Sequence, residues 1–249
     1  MRAANYLAAV FGTYLNVVGI ILGAVIGLTT RRQLSATTQT LCKTLLGGFT
    51  VLLGMKIVWD NINGKFLSCG RQFLIVLLAL IIGRMVGRML RLQKFSNRLG
   101  QFARERIAST AGGGQPSWSD GFNTSAALFC ATPLAVLGAA QEGLGGSLAP
   151  FAVKTVMDAL AAAGFATMFG WSVAVAALPV LVYQGTLTLV CAQFIAPWLA
   201  QYQLTEPVGA TCGLLMVFVA LVIFEVRKIE LADYLPSLAV APLLAWLWH

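Results

Sequence analysis

The stretch GAAQEGLGGSLAPFAVKTVMDALAAAGFATMF occupies residues 138–169 and carries three charged residues, Glu142, Lys154 and Asp158. Its apolar part, residues 151–169, approaches the roughly 20 residues that a helix needs to cross a bilayer. The run lacks the period-2 alternation of a membrane-spanning β-strand. It therefore predicts a transmembrane α-helix that contains two charges, Lys154 and Asp158.

The composition of the whole chain agrees with this prediction. The 249 residues are 58% hydrophobic and only 10% charged, with a mean hydropathy of +0.81, whereas a soluble domain carries about 25% charged residues. We predict an all-α fold, a polytopic transmembrane helical bundle of about seven or eight spans, some of them broken or re-entrant. The net charge of +8 does not indicate a nucleic-acid partner, because no basic surface interleaved with aromatic residues is visible.

Apolar runs divide the chain into a three-span half, residues 1–91, and a half of about five spans, residues 122–249. The predicted spans cover residues 6–28, 41–59, 72–90, 122–140, 151–169, 171–195, 208–224 and 231–248. Residues 92–121 form a basic cytoplasmic linker, and the helical spacing of its apolar residues leaves open that it is an interfacial helix. Residues 112–116 are a flexible joint.

Basic loops predict the orientation. Arg31 and Arg32, the cluster in residues 91–106, and the pair Arg227 and Lys228 follow odd-numbered spans. The positive-inside rule assigns such loops to the cytoplasm. Both termini, and the loops with Glu142 and Glu206, are then expected outside.

The first span carries small residues on one face. Gly12, Gly19, Gly23 and Gly27 share this face with Asn16, and such a stripe lets another helix approach closely. We expect helix packing through it and a homo-oligomeric protein. Asn16 has two interpretations, an interhelical hydrogen bond or a polar group that lines a substrate path.

Three arginines, Arg84, Arg88 and Arg91, end the third span on one face. Anionic lipid headgroups lie at that depth, so these residues are predicted to anchor the chain in the lipid bilayer. The alternative is a site for another anion.

Several chemistries have no signature in the sequence. The single histidine is His249, which excludes a histidine triad and a two-histidine metal site within the chain. Walker, G-x-S-x-G and dinucleotide-binding patterns are absent. The five widely spaced cysteines include no C-x-x-C pair. We expect no metal, no cofactor and no catalytic residue, although a carboxylate enzyme stays open.

The polar residues of the second half are the candidate site. Asp158 lies about 10 Å along its span at 1.5 Å per residue, too deep to reach water along its own helix. Lys154 is one turn earlier on the same face and can pair with it. The pair is either structural or part of an ion or proton pathway.

Two further motifs flank the pair. Gln141 and Glu142 begin a glycine-rich turn, which is either a plain external loop or a re-entrant element beside the site. Tyr183 and Gln184 follow Pro179 by one turn, where a broken helix would expose carbonyls to a cation.

These motifs resemble a known family. The resemblance rests on GTYLN at residues 12–16, LFC at 128–130, GAAQEG at 138–143, KTVMD at 154–158, PVLVYQGTLT at 179–188 and LP at 235–236. The chain is similar to the YdfK/YqgA-like family of bacterial multipass membrane proteins, a domain of unknown function. It departs from the family at Glu142, where Asp is frequent, and at Ala159, where Gly is frequent. The resemblance implies a bacterial inner-membrane protein and supplies no activity.

The sequence therefore favours a transporter or channel for an ion or small solute. Asp158 would be its charged centre and Lys154 the internal partner. The polar lining would be Asn16, Gln141, Glu142, Tyr183 and Gln184. The alternatives are an intramembrane enzyme that acts on lipid through Asp158 or Glu142, and a membrane scaffold without transport.

Overall fold

The computed structural model describes residues 10–30, 35–62, 64, 66–111 and 117–248, which form helices and turns without a β-strand. Outside the described residues lie Arg31 and Arg32, the joint at 112–116, His249 and the start of the first predicted span. The helices, numbered in chain order, are α1 Phe11–Thr30, α2 Ala36–Asn61, α3 Phe66–Leu90, α4 Leu92–Ala111, α5 Trp118–Cys130, α6 Pro133–Gly143, α7 Ala149–Phe169, α8 Ser172–Val175, α9 Ala177–Val190, α10 Ala196–Gln201, α11 Thr205–Ile223, α12 Leu231–Tyr234 and α13 Ser237–Leu247.

Within the described ranges, six helical segments are long and apolar enough to cross a membrane by themselves. They are α1, α2, α3, α7, α11 and the continuous segment Ser172–Gln201. Each has at least 19 residues, which matches the hydrocarbon thickness of about 30 Å. The prediction of a polytopic helical bundle is confirmed.

The segment Ser172–Gln201 contains α8, α9, a π-helical stretch at Cys191–Ile195, and α10. Its interruption lies at Ala176, whereas Pro179 lies inside the first turn of α9. A proline in the first turn costs no helical hydrogen bond, because the first N–H groups of a helix have no intrahelical acceptor. Gly170, with φ of 69°, makes the tight turn from α7 into this segment.

The fourth predicted span is broken. Helices α5 and α6 meet at Ala131 and Thr132 with a bend of 54°. Gly121 at the start of α5 lies against Phe169 at the C-terminal end of α7, and Gly138 in α6 lies against Phe151 at its N-terminal end. The bent pair therefore runs the length of α7 as one broken span.

The last apolar segment is shorter and is also broken, between α12 and α13 at Leu235 and Pro236. It lies along α3 in the opposite direction, since Gly87 contacts Asp233 and Gly83 contacts Ser237. Six long segments, the bent pair and this shorter helix account for the seven or eight predicted spans.

Helix α1 packs along α7 in the same direction. Gly19 lies against Thr155, Gly23 against Ala159 and Gly27 against Ala163, so contacts recur at each turn of α7. A Cβ atom added at Gly23 would stand 2.2 Å from the Ala159 carbonyl oxygen. Glycine is needed at this position because the two backbones touch.

One end of the bundle collects charged residues. At this end the Lys43 ammonium lies 2.5 Å from the Glu225 carboxylate and lowers the pKa of that exposed carboxyl through a hydrogen bond. Arg84 and Arg88 lie 3.9 and 3.8 Å from Glu230. Helix α4 is attached to the same end, because the backbone N–H of its residue Gln93 donates to the Asp233 carboxylate.

Candidate functional site

The site is built around an ion pair near the middle of α7. The Lys154 Nζ and Asp158 Oδ2 atoms are 2.6 Å apart, and both side chains are buried. Their four-residue spacing places them one above the other on the same helical face. Two charges removed from water are costly unless further hydrogen bonds satisfy them.

The Lys154 ammonium has two more partners, both in the break between α5 and α6. Its Nζ donates to the Phe129 carbonyl oxygen at 2.8 Å and to the Thr132 hydroxyl at 3.0 Å. In an unbroken helix the Phe129 carbonyl would accept from residue 133, but Pro133 has no N–H to donate. The ammonium replaces that missing donor, and its three N–H groups all have acceptors.

Asp158 has a second donor on α1. The Asn16 Nδ2 atom lies 3.0 Å from Asp158 Oδ2 and 3.2 Å from Gln184 Oε1 on α9. One polar cluster therefore joins α1, α7 and α9 in the interior of the bundle. We call these four side chains, Asn16, Lys154, Asp158 and Gln184, the central cluster.

Several polar atoms beside the central cluster have no hydrogen-bond partner among the described residues. They include Asn16 Oδ1, Gln184 Nε2 and the hydroxyls of Thr13 and Thr188. Thr13 is one turn before Asn16, and Thr188 one turn after Gln184. A buried polar group without a partner costs about 1–3 kcal/mol, so a cluster of them requires an explanation.

Glu142 and Gln141 lie apart from the central cluster, in the last turn of α6. Both are helical and buried, so they belong neither to an open loop nor to an unwound element. The backbone N–H of Gly12 donates to Glu142 Oε1, while Glu142 Oε2 has no partner within the described part of the chain. The carboxylate thus caps the N-terminus of α1, where negative charge is favourable.

Gln141 borders a cavity of about 330 Å³ at this end of the bundle. The cavity is also lined by Lys56, Ile57, Asp60, Asn61, Leu144, Gly146, Ser147, Thr205 and Gly209. A second cavity of about 400 Å³ lies between α3 and the start of α11, around Gln72 and Glu206. Asp158 lines neither cavity, so protein encloses its carboxylate in this conformation.

The structure thus places six of the seven predicted pathway residues in two groups. Asn16, Lys154, Asp158 and Gln184 come together, and Glu142 with Gln141 lies at the start of α1. Tyr183 belongs to neither group, since its side chain is 38% exposed. Adjacent helical residues point about 100° apart, so Gln184 faces the interior and Tyr183 does not.

Four groups at the site were not predicted from the sequence: the Phe129 carbonyl, the Thr132 hydroxyl, Thr13 and Thr188. Pro133 was the available signal for the first two, because a proline inside a span frees the carbonyl four residues earlier. Helical spacing from Asn16 and Gln184 was the signal for the two threonines.

Comparisons with known proteins identify the family. A family model described as "Protein of unknown function (DUF554)" matches residues 11–246, and the chain belongs to this family. The chain is 24% identical over 240 residues to "Uncharacterized membrane protein YdfK" of Bacillus subtilis (strain 168), covering 96% of this chain and 97% of the relative. It is 25% identical over 246 residues to "Uncharacterized protein YqgA" of Escherichia coli (strain K12), with the same coverage. No solved structure matches the chain.

Proposed function

We propose that this membrane protein transports an ion or a small solute, with Asp158 as the charged centre and Lys154 as its internal partner. An ionisable residue in the middle of a span usually faces a partner or a substrate path. Lys154 is such a partner for Asp158, but polar atoms next to the pair have no hydrogen-bond partner among the described residues. Water or a passing solute would satisfy them.

The observation that carries this proposal is the line of unpartnered polar atoms on both sides of the central cluster. Towards the Glu142 end, the line continues through the Thr13 hydroxyl to Glu142 Oε2. The hydroxyls of Thr124 and Ser125, about one turn before Phe129 in α5, are also buried without a partner among the described residues. A purely structural ion pair does not need such a line.

The enclosure of Asp158 favours a carrier over an open channel. Both side chains of the pair are buried, and neither cavity reaches the carboxylate. Carriers pass through occluded conformations while repeats or bundles rock around a fixed site. The same enclosure disfavours the lipid-acting enzyme, because a lipid headgroup would need lateral access to Asp158.

Flux through proteoliposomes tests the proposal. Purified protein would be reconstituted with an interior pH dye, and sodium or potassium gradients would be imposed in separate experiments. We expect flux for the wild type and for the control Lys43→Met/Glu225→Gln, which removes an exposed ion pair that lines neither cavity. Lys154→Met/Asp158→Asn should abolish it, and wild-type flux in that variant would overturn the assignment.

We also propose a bacterial inner-membrane location with both termini outside. The charged end of the bundle carries Arg84, Arg88 and α4, and such residues face the cytoplasm under the positive-inside rule. In a variant without native cysteines, a membrane-impermeant thiol reagent added outside should label Leu148→Cys and not Arg98→Cys. If the reagent labels Arg98→Cys and not Leu148→Cys, the proposed orientation is wrong and both termini face the cytoplasm.

A further inference from the structure

We propose that the oxygen atoms around the Lys154 ammonium form a binding site for a monovalent alkali cation, which Lys154 occupies in this conformation. The inference rests on the proposed transport function and names the class of its substrate. It follows from the chemistry of the atoms that surround Nζ, from their origin in the helix break, and from the charge of the site.

The ligands of the ammonium are those of a hard cation. Three oxygens of three kinds surround Lys154 Nζ: the Asp158 carboxylate at 2.6 Å, the Phe129 carbonyl at 2.8 Å and the Thr132 hydroxyl at 3.0 Å. Carboxylate, carbonyl and hydroxyl oxygens are also the ligands of alkali and alkaline-earth ions. An ammonium group and a potassium ion have similar radii, so either fits the same set of oxygens.

The oxygens stay in place when the ammonium leaves. Pro133 removes the helical donor of the Phe129 carbonyl whether or not Lys154 is present. The Thr132 hydroxyl belongs to the same break, and the Asn16 amide donates to Asp158 Oδ2 independently of the lysine. The buried Asn16 Oδ1 atom, on the same amide group, has no partner within the described ranges.

The charge of the site selects a monovalent ion. Asp158 is the carboxylate that contacts Nζ, and no group of three His, Cys, Asp or Glu side chains that could hold a metal ion occurs in the described part of the chain. Calcium takes six to eight oxygens, usually with several carboxylates, and magnesium requires octahedral geometry and keeps several waters. The one carboxylate balances a single positive charge, and the two neutral oxygens, from Phe129 and Thr132, add ligands without adding charge.

Lys154 would then act as a tethered competitor. Its four-carbon stem is flexible and its charge is compact, so it can withdraw when a cation enters and return when the cation leaves. The Asp158 carboxylate would be paired in both states. The exchange also requires the displaced Lys154 ammonium to reach water or other acceptors, because a buried charge without a partner would be strongly destabilising.

The test removes the tethered ammonium and asks whether a free cation replaces it. Lys154→Met would be purified in detergent and unfolded thermally in potassium, sodium or choline chloride at equal ionic strength. A ligand that binds only the folded state raises Tm with its concentration. We expect Lys154→Met to gain roughly 5 °C in saturating potassium or sodium chloride relative to choline chloride.

Two matched variants control for non-specific effects of salt. Lys154→Met/Asp158→Asn lacks the carboxylate, and Lys43→Met leaves the exposed Glu225 carboxylate outside both cavities, so neither should show a cation-specific shift. Equal Tm values for Lys154→Met in the three salts would overturn the proposal. If Lys154→Met does not fold, Lys154→Gln keeps an N–H donor for the Phe129 carbonyl and is judged by the same criterion.

The outcome separates this inference from the transport proposal. A cation-specific shift in Lys154→Met without flux in proteoliposomes supports the site and overturns transport. Flux that depends on Asp158 without a cation-specific shift overturns the site and leaves transport of another solute.

Discussion

Two lysine–aspartate pairs in this protein have the same local sequence pattern and different surroundings. KIVWD at residues 56–60 ends α2, and KTVMD at residues 154–158 lies in α7. In both pairs the lysine precedes the aspartate by four residues, and Nζ lies 2.6 Å from Oδ2. The side chains of the α2 pair are 69% and 51% exposed, whereas those of the α7 pair are 1% and 7% exposed.

This difference in exposure changes what each pair does for the fold. Water solvates both charges of the α2 pair, and such surface pairs contribute about 0–1 kcal/mol. The α7 pair has lost that water, and its charges depend on Phe129, Thr132 and Asn16. The four-residue spacing on a helix predicts that lysine and aspartate pair. The surroundings of the pair determine how much stability is lost when one partner is removed.

The largest expected effect comes from neutralising one aspartate in each pair. Asp158→Asn leaves the Lys154 ammonium buried without a counter-charge and should destabilise the protein by about 3–5 kcal/mol. Asp60→Asn leaves Lys56 in water and should cost less than about 1 kcal/mol. Thermal or denaturant unfolding of the two variants in detergent measures the difference.

A double variant sharpens this result. Lys154→Met/Asp158→Asn removes both charges and should recover much of the stability that Asp158→Asn loses, because no unpaired charge remains. Lys56→Met/Asp60→Asn should stay close to the wild type. If Asp158→Asn is as stable as Asp60→Asn, the buried pair does not carry the energy assigned to it.

The sequence predicted those features of the site that depend on local spacing. A spacing of four residues, about one helical turn, placed Lys154 beside Asp158, and long apolar runs placed α7 across the membrane. The class of fold followed in the same way, since each span must satisfy its backbone N–H and C=O groups with hydrogen bonds inside the protein. These predictions required no knowledge of which helices are neighbours.

The helix break beside Lys154 could not be located by such reasoning. Pro133 and Pro236 lie at breaks, whereas Pro179 lies in the first turn of α9 and Pro242 lies inside α13. A membrane helix tolerates a proline when another group satisfies the freed carbonyl. For Pro133 that group is Lys154, 25 residues beyond Phe129 in the chain, so the outcome depends on tertiary packing.

The sequence also does not show which of two adjacent residues in a membrane helix faces the interior of the bundle. Tyr183 and Gln184 were both assigned to the polar lining, and only Gln184 contacts Asn16. Which of two adjacent residues faces the interior depends on where α1 packs. A nearly uniform apolar helix does not reveal this, because its lipid-facing and buried sides have similar composition.

The smaller predicted effect concerns the helix contact that holds Asn16 beside Asp158. A Cβ atom at Gly23 would lie 2.2 Å from the Ala159 carbonyl oxygen, which is backbone and cannot rotate away. Gly23→Ala should therefore separate α1 from α7 and destabilise the protein by about 1–3 kcal/mol. Gly48 in α2 is the control, since nothing lies within 4 Å of an added Cβ atom there, and Gly48→Ala should be neutral or stabilising by up to about 1 kcal/mol.

A double-mutant cycle connects this contact to the buried pair. If α1 supports Asp158 through Asn16, Gly23→Ala should cost less in the Asp158→Asn background than in the wild type, because part of the contact is already lost. Residues in one hydrogen-bond network commonly show interaction energies of about 0.5–3 kcal/mol. The same glycine variant in the Asp60→Asn background should cost as much as in the wild type. Strict additivity in both backgrounds would mean that the close approach of α1 and α7 serves helix packing alone and does not hold the charged centre.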